Sequence, residues 1–153
     1  MKNFKLLLLL FTAATLSLSS CKKDKQDAPK GDNQAQIEAK AKIMGRWNLV
    51  SAVFVKTTTA GQVLAPENWD HAASGYYFDF KTDNTVQINY KTLANIYNFS
   101  FSEDGKTFTA IKSGTTTIIC EVKQNTATQL VLERNHVLAD GTEKETITLQ
   151  KQP

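Results

Sequence analysis

At 153 residues the chain is long enough to bury one hydrophobic core and too short for two ordinary domains. Its formal charge of +3 falls to +1 when Lys2 and Lys5 are set aside with a leader, and the other basic residues are interspersed with acids. That balance gives no electrostatic footprint for nucleic acid. Two histidines in separate segments, without H-x-x-H or C-x-x-C spacing, give no dedicated metal site.

Lys2 and Lys5 precede a mostly apolar run over 6–18, and Ser19-Ser20 supply the small residues of a cleavage site. This is the pattern of a signal peptide. The run is shorter than the roughly 20 residues that a membrane-crossing helix needs. Cys21 follows, and then K-K-D-K-Q-D-A-P-K-G-D-N-Q, which holds no aromatic or β-branched residue. Such a segment buries too little to order itself and reads as a flexible tether, spanning roughly 20 Å as a coil. Three parts are expected: a signal peptide over 1–20, Cys21 with its tether over 21–35, and a folded domain over 36–153.

Asn33 and Gln36 are spaced as a capping box, opening a short helix over 37–44 with Ile37, Ala41 and Met44 on one side. Gly45 stops it. From there the pattern changes to alternation. Trp47, Leu49, Val53 and Val55 share a face of a strand over 46–56, and a long connection over 57–73 carries Trp69 and His71. Tyr76, Phe78 and Phe80 mark the second strand, Val86, Ile88 and Tyr90 the third, and Tyr97, Phe99 and Phe101 the fourth. Phe108 and Ala110 mark the fifth, then Ser113-Gly114 turns the chain into a sixth carrying Ile118, Cys120 and Val122. Leu130 and Leu132 mark the seventh, Ile147 and Leu149 the eighth. The fold class is therefore all-β, with about eight antiparallel strands on short links. An up-and-down barrel with a short N-terminal helix buries their apolar face best, and a sandwich is the alternative.

Leu18-Ser19-Ser20-Cys21 resembles the bacterial lipobox. The resemblance implies lipidation of Cys21, cleavage just before it, and anchoring in the outer membrane of a Gram-negative bacterium, on either face. Ile43-Met44-Gly45-Arg46-Trp47-Asn48-Leu49-Val50 resembles the G-x-W signature that opens the first strand of lipocalins, members of the calycin-type barrels. The closest likeness is to small lipocalin-like domains of bacterial lipoproteins. The chain lacks the long helix that follows the last strands in classical lipocalins, and their paired cysteines. The resemblance implies that Trp47 closes the narrow end, that Gly45 lets helix and strand approach, and that a basic residue near the chain end stacks on the indole. Lys151, continuing the face of Ile147 and Leu149, is the candidate.

With Trp47 at the closed end, strand direction assigns the mouth to the connections over 57–73, 91–94, 112–115 and 135–142. The inward residues nearest it are Val55, Tyr76, Tyr90 and Arg134, with Trp69 and His71 in a loop able to act as a lid and His136 in the loop opposite. Arg134 either recognises an acidic ligand group or, at the strand end, reaches water or pairs with a neighbouring carboxylate. Cys120 reads as a small core hydrophobe. No nucleophile elbow, phosphate loop or dinucleotide fingerprint occurs, so neither an enzyme nor a cofactor is expected. Two functions remain: a lipid-anchored envelope protein that binds or carries a small, largely hydrophobic ligand, or an accessory or inhibitory subunit of an envelope complex with a filled barrel.

Overall fold

The alternation that begins after Gly45 becomes a closed sheet. The structure, a computed structural model, describes residues 31–112 and 116–153. The leader over 1–20, Cys21, most of the tether and the Ser113-Gly114 turn lie outside the described residues. Among those described, one helix, α1 (Gln34–Ile43), precedes nine strands. They are β1 (Gly45–Thr58), β2 (Glu67–Asp70), β3 (Tyr77–Phe80), β4 (Thr85–Asn89), β5 (Asn95–Phe101), β6 (Thr107–Lys112), β7 (Thr116–Asn125), β8 (Gln129–Leu138) and β9 (Gly141–Lys151).

From β3 to β9 each strand pairs antiparallel with the next, and β9 pairs back onto β1 from Trp47↔Lys151 to Thr58↔Gly141. This is an eight-stranded antiparallel barrel with one additional strand. Closure removes the exposed edges that an open meander presents to other chains. The additional strand, β2, lies inside the stretch expected to be only a connection. It pairs with β1 over Ser51–Phe54, while β3 takes the same edge over Gly45–Asn48. The two are successive parts of one interrupted strand.

The asparagine cap is present: Gln36 N–H donates to Asn33 Oδ1 at 3.0 Å, and Asn33 N–H donates back to Gln36 Oε1 at 2.8 Å. The buried side of α1 is Ala39 and Ile43, whereas Ile37 and Ala41 are exposed and Met44 is only partly covered. The expected face is thus corrected. The helix is fixed against strand ends instead, by Gln36 Nε2 donating to Phe101 O (2.8 Å) and Asn125 Nδ2 donating to Ala39 O (3.1 Å). These anchors turn the Ala39–Ile43 stripe onto the barrel.

A second correction concerns β1. The ladder with β9 shifts between Leu49 and Ser51, so a bulge at Val50 changes the phase of everything after it. Trp47 and Leu49 point inward as expected, but beyond the bulge the buried residues are Ala52 and Phe54, not Val53 and Val55.

At the closed end Trp47 is fully buried, its indole N–H donating to Ile43 O at 2.6 Å, and Lys151 Nζ lies 5.4 Å from the ring centroid. Gly45 is needed for its conformation rather than for a close approach. Its φ is +97°, and an added Cβ would meet only Lys151 Cε, at 3.8 Å. Above this layer, Phe80, Phe99, Phe101 and Phe108 pack on one another at centroid separations from 5.3 to 6.3 Å, so the lower barrel is filled by side chains.

Candidate functional site

At the other end the composition of the interior changes. β1 delivers Phe54 and β2 delivers Trp69, because Ala52 and Trp69 are register partners and so share the inward face. Between β2 and β3 the chain leaves the ladder and returns to it: His71 N–H donates to Val50 O at 2.9 Å, and Leu49 N–H to Tyr76 O at 3.0 Å. This excursion brings the His71 and Tyr76 rings within 5.4 Å of each other, and both pack edge-on against Tyr90 just beyond β4. Trp69 closes the cluster outward, 5.9 Å from both Phe54 and His71, and remains 48% exposed.

Beneath these rings sits Glu145, on the inward face of β9 and 1% exposed. Tyr90 Oη donates to Oε1 at 2.6 Å, Arg134 Nε donates to Oε2 at 2.5 Å, and His136 Nε2 lies 3.0 Å from Oε2. Arg134 and Glu145 are direct register partners across β8 and β9. Burial by itself raises the Glu145 pKa, but the Tyr90 hydroxyl, the Arg134 charge and hydrogen bond, and the His136 contact outweigh it. The carboxyl is held below its ordinary value. Burial and the neighbouring carboxylate push the Tyr90 phenol in the opposite direction, far above its usual range, so it stays a donor.

Lys91 covers this pair from the rim. Its Nζ lies 4.0 Å from the Phe54 ring centroid, 5.1 Å from Trp69 and 5.2 Å from Tyr90, with Glu145 Oε1 at 3.9 Å. The backbone there is left-handed, with φ of +50°. His71 Nε2 is buried in the same ring cluster without a hydrogen-bond partner among the described residues.

The structure thus brings together Trp69, His71, Tyr76, Tyr90, Arg134 and His136 from the residues singled out in the sequence. Beyond Trp69, which lies in β2, two placements differ from expectation. Val55 faces outward beside Lys144 because of the bulge. His136 belongs to β8 rather than to a loop. Arg134 takes the expected pairing with a carboxylate, since its charge is met by Glu145. Glu145, Phe54 and Lys91 were not singled out. Glu145 was within reach by counting back two residues from Ile147, which places a carboxylate on the core face.

Cys120 is buried opposite Phe108, and burial pushes its thiol up to about 12 against the opposing Arg134 charge. It is a neutral packing residue. A cleft of about 70 Å³ lies beside the mouth, walled by Phe54, Lys56, Leu64, Ala65, Glu67 and Glu143. The β7–β8 ladder spans only Glu121↔Glu133 to Asn125↔Leu130, and a cleft of about 490 Å³ along the same seam has Ile119 on one wall and Arg134 and Asn135 on the other. The arrangement offers apolar ring faces and one buried carboxylate. No protein-family model matches the chain, and no curated protein matches it either.

Proposed function

We propose that the chain is a lipid-anchored protein of the Gram-negative cell envelope whose lipocalin-like barrel binds a small ligand at its mouth. The L-S-S-C sequence ending at Cys21, behind a signal-peptide pattern, supports the anchor. The G-x-W segment at the start of β1, preceded by a short helix and followed by the barrel, supports the lipocalin-like reading. One observation carries the binding role: the interior is divided, with phenylalanines filling the lower barrel and a second set of rings gathered at the mouth, where Phe54, His71 and Tyr90 are buried, Tyr76 is half-buried and Trp69 is exposed. Ring faces of this kind bury a largely hydrophobic ligand group, and the packing below restricts entry to the upper part. We read the role as binding rather than catalysis.

The filled lower barrel also favours a second reading, that of an accessory or inhibitory subunit in an envelope assembly. Native mass spectrometry on protein extracted from its host separates the two. A small-molecule adduct that disappears in Trp69→Ala supports binding at the mouth, whereas a protein partner with no small molecule establishes the accessory role. The intact mass in the same experiment tests the anchor. A chain beginning at Cys21 with acyl chains attached is expected, and one retaining residues 1–20 without lipid would refute it.

A further inference from the structure

Lys91 occupies a position that other proteins reserve for a ligand. Its ammonium faces three aromatic rings at 4.0 to 5.2 Å, the distances at which a cation is held by the ring quadrupole. A carboxylate lies behind it. We infer that the mouth is an aromatic cage for an organic ammonium group, and that Lys91 is a built-in occupant which such a ligand displaces. The inference rests on the reading of the mouth as a binding site and names the chemical class of its ligand.

A primary ammonium carries three N–H donors, and the carboxylate oxygen nearest to Lys91 Nζ is 3.9 Å away, beyond hydrogen-bond reach. Rings satisfy charge but not these donors. A methylated ammonium has the charge with fewer donors or none, so the same cage suits it better than it suits lysine. The Lys91 side chain is 36% exposed and lies beyond the end of β4, so it can swing outward without disturbing the pairing of that strand. The buried and unpartnered His71 Nε2 is a second polar atom in the same ring cluster, available to a ligand substituent. A metal ion is a poor fit, because the groups around Lys91 Nζ are ring faces and a carboxylate already shared with Tyr90, Arg134 and His136.

The test uses the full chain in a non-ionic detergent, with choline as probe and 3,3-dimethyl-1-butanol as its neutral isostere, read by isothermal titration calorimetry. Lys91→Asn and Lys91→Gly both remove the occupant, and both residue types accept positive φ, so a folding failure of one leaves the other. Each folded variant is expected to bind choline about tenfold or more tightly than the unsubstituted chain does, and about tenfold or more tightly than it binds the neutral isostere, with Trp69→Ala abolishing the effect. Equal binding of the two probes would overturn the cation inference and leave the mouth as a binding site. Binding of neither probe would overturn both.

Discussion

Tyr90, Arg134 and His136 converge on the two oxygens of Glu145, and the pKa of that carboxyl is lowered as a result. A lowered folded-state pKa means the unfolded chain binds the proton more tightly. The stabilisation is therefore complete above the ordinary carboxylate value and disappears as pH falls through the lowered one. Glu145→Gln is expected to cost about 3 kcal/mol at neutral pH by removing the countercharge of the half-buried Arg134, and to flatten the acid side of the stability profile. Urea unfolding across a pH series measures both. Adding Arg134→Met should cost much less than the two single changes would suggest, because the partners are coupled. Cys120 supplies a simpler check: its buried thiol should resist a disulfide reagent in the native protein and react once the chain is unfolded. Arg134 was legible as inward by counting from Leu130 and Leu132. Its partner was not identified, because the register of β8 against β9 is carried by neither strand's own alternation.

Among the elements, β1 shows where alternation fails as a guide. From Leu49 to Val55 the chain reads L-V-S-A-V-F-V, apolar at nearly every position, so the pattern has no unique phase and hides a bulge. Phe54 takes the inward place that Val55 was expected to hold. Val55→Thr should therefore change the stability by less than about 0.5 kcal/mol, while Phe54→Ala should cost about 3 kcal/mol and expose Lys91, as thermal unfolding will show. The β8–β9 hairpin has a stricter requirement. Gly141 has a φ of +152°, and a Cβ there would overlap the carbonyl oxygen of Thr57. Gly141→Ala must push apart backbone at the point where β9 begins its pairing with β1, and a loss of about 2 kcal/mol or more is expected in the same assay. β4 was legible because polar and apolar residues alternate strictly there; in β5 to β7 the outward Ile96, Ile111 and Ile119 blur the pattern, yet the expected inward residues Val86, Ile88, Tyr97, Phe99, Phe108 and Ala110 are all buried.

For the whole molecule, strand count, short links and the need to cover sheet edges pointed to a barrel, and β1–β9 pairing closes it. The interrupted strand formed by β2 and β3 was not legible. Glu67–Asp70 is too short and polar to announce a strand, and it forms one only because β1 extends past β3 and leaves an edge to pair. That pairing turns Trp69 toward the mouth, where the proposed ligand binds. The two tryptophans report on the two ends of the barrel: Trp47 is buried at the closed end and Trp69 sits at the open one. The most direct measurement is the nuclear magnetic resonance of both indole N–H groups in the full chain, with isotope-labelled tryptophan, during titration with a small-molecule extract of the host envelope. Binding at the mouth should move the Trp69 signal and leave Trp47 in place; movement of Trp47 alone, or of neither, would contradict it.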